Sequence, residues 1–182
     1  MASPTCMRIT KRQMSDEHVV SLWLKPCLSD RERIQPVIDQ LAEAQGAPRF
    51  PPHMSLGSVT DASVDFAPLL TVLTGLSLTP IELDATPVFT KSLFVRFEIS
   101  DQLAAARSCL EAVPGFRSRR TFDPHISLCY GKPVATKHLS SEIDRLLSAP
   151  VAFDRLQLMR VKLPVETHAD VAAWTPIESF AV

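Results

Sequence analysis

The period of the apolar positions changes in a regular order along the chain. Residues 19–24 and 93–97 are short apolar runs and read as strands. Behind the first, Ile34, Val37, Ile38 and Leu41 share one helical face, with Ser29 and Glu32 spaced as a capping box and Pro36 expected to kink or restart the helix. Behind the second, a helix starting at Ser100 or Asp101 puts Leu103, Ala106 and Leu110 in phase. Two more helices are predicted over 63–74, closed by Gly75, and over 136–148, with Leu139, Ile143, Leu146 and Leu147 on one face. Strands at 76–84 and 151–163 follow them, and a strand at 173–181 closes the chain.

The order is β-α-β-α-β, repeated once, with one terminal strand added. Two heptads carry the same repeat: Phe50-Pro51-Pro52-His53-Met54-Ser55-Leu56 and Phe122-Asp123-Pro124-His125-Ile126-Ser127-Leu128 agree at five of seven positions, 72 residues apart. With five histidines in the chain, average residue usage makes such a match a roughly one-in-several-hundred event. The fold class expected is α+β: a two-lobed, pseudo-symmetric duplication, with sheets facing a central cleft and helices on the outer faces. Halves of about ninety residues are poorly stable alone, and no Gly/Ser linker divides them. The chain 1–182 therefore reads as one two-lobed domain, with 1–17 a flexible N-terminal segment. Whether strands pair antiparallel or in a mixed sheet is left open by the spacing.

Composition narrows the class. Apolar residues at 46% and charged residues at 21% allow a sizeable core. No apolar run approaches the length of a membrane span, and Arg8, Lys11 and Arg12 precede no apolar stretch, so the expectation is a soluble, cytoplasmic protein, monomeric and without a membrane partner. A formal charge of −1 argues against wrapping long nucleic acid but leaves room for a small phosphate ligand. Cys6, Cys27, Cys109 and Cys129 form no C-x-x-C pair and are expected reduced.

Side chains two apart on a strand share a face. His53 with Ser55, and His125 with Ser127, thus project together while Met54, Leu56, Ile126 and Leu128 turn to the core; Pro52 and Pro124 fix the entry of each strand. Two imidazoles and two hydroxyls across a cleft suit phosphoester chemistry. One histidine takes a proton, the other gives one, and the hydroxyls bind non-bridging oxygens. A metal is the competing use of two histidines; Asp123 is the one further ligand type in either motif, so no metal and no cofactor are assigned.

These paired motifs on a duplicated scaffold resemble the 2H phosphoesterase superfamily, and within it the cyclic phosphodiesterases. The similarity runs from about His18 onward, through the segments around Trp23, Pro48 to His53, Pro124 to Tyr130, and Trp174-Thr175-Pro176. The resemblance implies metal-independent hydrolysis of ADP-ribose 1″,2″-cyclic phosphate and nucleoside 2′,3′-cyclic phosphates, with His53 and His125 catalytic and Ser55 and Ser127 on the phosphate. It makes Trp23 and Tyr130 cleft-lining aromatics; strict alternation would instead put Cys129 in the cleft, so Tyr130 requires a twist or bulge near Gly131. We take His125 to activate water and His53 to protonate the leaving oxygen. Phe89, flanking a base, and Lys91, reaching the phosphate, complete the candidates. Arg117, Arg119 and Arg120 form a basic loop that is either a site for distal phosphates or a solvated surface. His18, His138 and His168 have no motif around them. Two further readings stand beside the enzyme of small cyclic phosphates: an RNA-end processor, with an RNA end as partner, and a non-catalytic nucleotide-binding module.

Overall fold

The computed structural model describes residues 17–118, 121–132, 134 and 140–182. The first repeat contains β1 (Glu17–Pro26), α1 (Leu28–Gln45), β2 (Met54–Val59), α2 (Ala67–Leu73) and two short strands, β3 (Ser77–Leu78) and β4 (Pro80–Asp84). After a 3-10 turn (Phe89–Lys91), the second contains β5 (Leu93–Phe97), α3 (Asp101–Glu111), β6 (His125–Cys129), α4 (Ser140–Leu147) and β7 (Val151–Leu163). A short α5 (His168–Ala172) and β8 (Thr175–Ala181) end the chain. The predicted duplication of β-α-β-α-β is present.

The strands follow one hydrogen-bonded order, β3-β7-β1-β2-β6-β5-β4, with β8 on β7, and their pairings are antiparallel. The two repeats exchange their closing strands. β7 of the second repeat pairs along ten positions with β1 of the first, and β4 of the first pairs with β5 of the second. Each half-sheet is thus completed by the other repeat, which is why neither repeat can bury its own apolar face. Between the half-sheets stands one residue pair, Met54 opposite Ile126, at the centre of the two His-x-Ser motifs.

The main core gathers the inward residues of both half-sheets, Leu22, Leu24, Met54, Leu56, Ile126 and Leu128, with the predicted faces of α1 and α3. A second, smaller cluster of Val19, Trp23, Met159 and Val161 lies on the other face of β1 and β7. This is the cleft side.

Several boundaries differ from the sequence reading. The capping box of Ser29 and Glu32 does not form: α1 starts at Leu28 with Cys27 as its N-cap and no side-chain cap. The Cys27 amide is already bonded to the Ala152 carbonyl at 2.8 Å, so the helix turns immediately after β1, and Asp30 in its first turn accepts from the Ala152 amide. Pro36 sits inside α1 on an exposed position, without interrupting it. α2 begins at Ala67 and not at Ser63, because the Asp61 and Asp65 carboxylates take the Ser63 and Ala67 amides at 2.9 Å and hold 61–66 in turns. Gly75 follows α2 at φ 72°, the left-handed conformation expected of a helix stop. The strand predicted over 76–84 is two strands, since the chain crosses there from β7 to β5. The last strand starts at Thr175 because α5 occupies 168–172, capped reciprocally by Thr167 and Asp170. Ile143 and Leu146 of α4 are buried; the start predicted at 136, with Leu139, lies outside the described residues, as do 1–16, Arg119, Arg120 and His138.

One glycine is set beside the first motif. Gly57 has φ 147°, and a Cβ there would stand 2.5 Å from the Phe116 ring and 2.8 Å from the Arg117 carbonyl. It lies where the register of β1 on β2 shifts by one residue, and next to Ser58, whose backbone bridges to Arg117. Gly46, at φ 58°, faces open space. Gly57→Ala should therefore cost about 2–3 kcal/mol and Gly46→Ala about 1 kcal/mol, read from urea midpoints; equal costs would show that the close approach at Gly57 does not matter.

Candidate active site

Each histidine is oriented by its own motif. The Nδ1 of His53 lies 2.8 Å from the Pro51 carbonyl oxygen, and the Nδ1 of His125 lies 2.7 Å from that of Asp123. A carbonyl only accepts, so in each ring Nδ1 carries the hydrogen. Nε2 is then the basic nitrogen of the neutral imidazole. In both motifs the bond spans one proline, Pro52 or Pro124, whose fixed φ brings the carbonyl back under the ring.

Around this shared geometry the environments differ. His53 is 6% exposed and stacked flat on the Trp23 indole, 3.7 Å between centroids at 15°, with Trp174 edge-on at 5.7 Å. Burial pushes its pKa down to about 3; the bond to the Pro51 carbonyl opposes this, and the charges of Lys25 and His125 add to the fall. His53 is therefore neutral at pH 7. His125 is half-buried, meets Phe94 edge-on at 5.2 Å, and stands directly across from Arg96 in the β5–β6 register. Behind it runs an ion-pair network. The Asp123 carboxylate accepts from Lys91 Nζ and, at 2.9 Å, from Arg96 Nε, and Arg96 also pairs with Glu82 and Asp84. Burial raises the Asp123 pKa, but the hydrogen bonds from Lys91 and Arg96 outweigh it and hold the carboxyl below its ordinary value.

The two serines are also unequal. Ser55 is exposed to the cleft, whereas Ser127 is 5% exposed and donates to the Thr90 carbonyl at 2.8 Å. Its single hydrogen is thus spent on the 3-10 turn that carries Phe89 and Lys91. The Tyr130 phenol lies beside Ser127, stacked by its ring on Phe50 at 3.9 Å, and burial holds its pKa above the ordinary value, so it remains a neutral donor. Tyr130 lines the cleft and Cys129 packs in the core, contrary to strict alternation. The required irregularity is present: the register on β5 jumps from Phe94 opposite Ser127 to Leu93 opposite Cys129, and Gly131, at φ 111°, bonds the Phe89 carbonyl.

The cleft has two compartments whose shared lining includes His53, Ser55, Thr90 and Tyr130. The first, about 500 Å³, holds both histidines and both serines and extends to Ser58 and Arg117. The second, about 770 Å³, is aromatic, walled by Trp23, Phe89, Tyr130 and Trp174. The structure brings His53, Ser55, His125, Ser127, Trp23, Tyr130 and Phe89 together along these two compartments. Lys91 also borders the first compartment, but its ammonium is committed to Asp123 and lies 4.0 Å from the Phe94 ring centroid. Asp123, the carboxylate a metal would need, is held by two cations. Among the described residues no three His, Cys, Asp or Glu side chains cluster as a metal site, and Cys27, Cys109 and Cys129 are free thiols.

Two cleft residues, Ser21 and Trp174, and Arg96 behind His125 escaped the sequence reading of the site. Ser21 lies two residues before Trp23 on the same face and accepts the Trp23 indole hydrogen at 2.9 Å; the strand period contained that signal. Arg96 is placed by cross-strand pairing, which no local pattern shows. Trp174 arrives through the long return of the chain after β7, and its indole nitrogen is buried with no acceptor among the described residues.

No protein-family model and no curated protein matches this chain. Among solved structures it is similar to E. coli LigT in its apo form, with 17% identity and a TM-score of 0.49 over 91% of this chain and 98% of that one. It is similar to E. coli LigT complexed with 3′-AMP at 16% identity and a TM-score of 0.48, over the same shares. A third structure, described as a phosphoesterase, aligns at 15% identity and a TM-score of 0.43, over 91% and 99%. At these values the likeness concerns the path of the chain and says nothing about individual side chains.

The depressed pKa of His53 has a stability consequence. Below about pH 6.5 the unfolded chain protonates this imidazole while the folded protein does not, until about pH 3. Its contribution is complete above pH 6.5 and falls as pH drops through that window, by about 2 kcal/mol at pH 5. Urea midpoints at pH 7 and pH 5 should therefore diverge more in the wild type than in His53→Gln. Identical slopes would mean that His53 protonates freely in the fold.

Proposed function

We propose that this protein is a cyclic phosphodiesterase of small nucleotide-like substrates, working by acid–base catalysis between His53 and His125. One observation carries the reading: two His-x-Ser strands converge on one cavity, with both imidazoles anchored through Nδ1. Two Nε2 atoms and two hydroxyls on one cavity supply what opening a cyclic phosphate requires. The substrates we propose are ADP-ribose 1″,2″-cyclic phosphate and nucleoside 2′,3′-cyclic phosphates, with the aromatic compartment taking a base.

The environments set the roles. A resting neutral imidazole with its lone pair on Nε2 is a base, so His53 accepts the proton of the attacking water. The more exposed His125 donates to the leaving oxygen, which reverses the order taken from the sequence alone. Water adds to phosphorus as the P–O3′ bond breaks, leaving a 2′-phosphate and a protonated 3′-hydroxyl; in the ADP-ribose compound the P–O2″ bond breaks and the 1″-phosphate remains. Both proton transfers run through the dyad, so the chemistry needs no metal. Ser55 donates to a non-bridging oxygen; Ser127 does so by turning its hydrogen from the Thr90 carbonyl, with the Tyr130 phenol beside it.

Hydrolysis of both compounds should proceed in EDTA, and His53→Ala or His125→Ala should each remove it by about a thousandfold or more. Ser55→Ala should lower kcat/KM by about 10- to 100-fold, and Ser127→Ala by less, since its hydrogen is engaged elsewhere at rest. Turnover of an oligonucleotide ending in cyclic phosphate, with none of the small compounds, would replace this substrate class by RNA ends. Tight nucleotide binding without turnover of any of them would make the protein a binding module.

The pH profile separates the roles. With His53 as base, kcat/KM is already at its plateau at pH 5, its acid limb lying near pH 3, and it falls on the alkaline side as the acid loses its proton. A kcat/KM that falls steadily from pH 4 to 7 would make His53 the acid instead.

A further inference from the structure

The cleft face of β1 does not end at Trp23. Ser21, Trp23 and Lys25 alternate onto it, and Lys25 lies directly opposite Arg155 of β7. Like charges so placed repel. Lys25 is nonetheless only 6% exposed, its ammonium 6.0 Å from the Trp23 ring centroid, and it makes no hydrogen bond or ion pair among the described residues. Arg31, on α1, adds a third cation near enough for its charge to bear on Lys25, and the buried Nε of Arg31 has no hydrogen-bond partner among the described residues. The carboxylate next in sequence, Asp30, is spent on Arg33, the Cys27 thiol and the Ala152 amide. Burial, and then the Arg31 charge, bring the Lys25 pKa down to about 8. A buried ammonium with no counter-charge among the described residues, the Arg31 charge bearing on it and Arg155 opposite it on β7, is a cost to the fold unless an anion completes it.

We infer that Lys25, Arg31 and Arg155 form a second phosphate-binding site, beyond the Trp23 indole from His53 and separate from the histidine dyad. The guanidinium groups offer paired donors to phosphate oxygens, and the ammonium a point charge. Lys25 stands two residues, about 7 Å, past Trp23 along the strand. That distance suits either a second phosphate on the substrate or a free phosphate. The site also communicates with the dyad: the Lys25 charge disfavours protonation of His53, and a bound anion offsets it.

Calorimetric titration with inorganic phosphate at pH 7, against sodium chloride of equal ionic strength, tests the inference without any turnover. The site predicts one equivalent that depends on Lys25, whether or not the dyad holds another, so the two readings fail separately. Arg155→Gln, an exposed position, should weaken that equivalent about tenfold; Lys25→Met should abolish it while its melting temperature without phosphate stays level or rises, and any equivalent held at the dyad should be left by both variants. No binding in the wild type, or binding unchanged in both variants, would overturn the site. Two cyclic mononucleotides, with and without a 5′-phosphate, then distinguish the source. If the phosphate belongs to the substrate, the 5′-phosphorylated compound displaces inorganic phosphate from this site and Arg155→Gln erases its advantage; if it is a free ligand, neither compound displaces it.

Discussion

Met54 opposite Ile126 is the one strand pair that joins the two half-sheets among the described residues. Both side chains are buried in the main core, at 0% and 1% exposure, so the contact is held from below by packing and not by a long ladder. The neighbours of each residue on the strand, His53 and Ser55 on one side and His125 and Ser127 on the other, must then project to the opposite face, into the cleft. A slip of one residue in either strand would turn its histidine and serine into the core. Such a slip is expensive, because it would also break the register of β2 on β1 or of β6 on β5.

Identical motifs have acquired different surroundings, and the difference is chemical. On one side an aromatic plate of Trp23 and Trp174 removes His53 from water and keeps it neutral. On the other, a network of alternating charges runs from Lys91 through Asp123 to Arg96, Glu82 and Asp84, while the Asp123 main-chain carbonyl holds His125. Burial penalises the imidazolium, so His53 is held neutral with a free lone pair on Nε2. Two pseudo-symmetric imidazoles with the same Nδ1 anchor thereby stand in unlike surroundings, one buried among aromatic rings and one half-buried across from Arg96.

The sequence made the motif residues, the repeat and most elements legible, because strand alternation and helical spacing are local signals. It misplaced what depends on contacts made at a distance. The start of α1 is decided by the Ala152 carbonyl on the Cys27 amide, and the split of 76–84 by two strands remote in sequence. Lys91 looked like a free phosphate ligand because its partner, Asp123, is 32 residues away. Ser127 looked equivalent to Ser55 because the Thr90 carbonyl that takes its hydrogen belongs to the preceding turn. The Tyr130 bulge was foreseeable as a requirement, but its position opposite Leu93 and Phe94 was not.

The charges near the dyad are mostly spent on one another. Lys91 and Arg96 are neutralised by carboxylates, so the polar groups that share the first compartment with the two imidazoles include the Ser55 and Ser127 hydroxyls and the Tyr130 phenol, with Arg117 also on its lining. Neutral donors hold a phosphodiester monoanion by geometry more than by field, and gain comparatively little when hydrolysis adds a second charge to the product. Cations in their place would bind the dianionic monoester more tightly than the diester and slow its release. Lys25, with no carboxylate partner among the described residues, stands instead 6.0 Å from the Trp23 ring centroid, and its charge bears on His53.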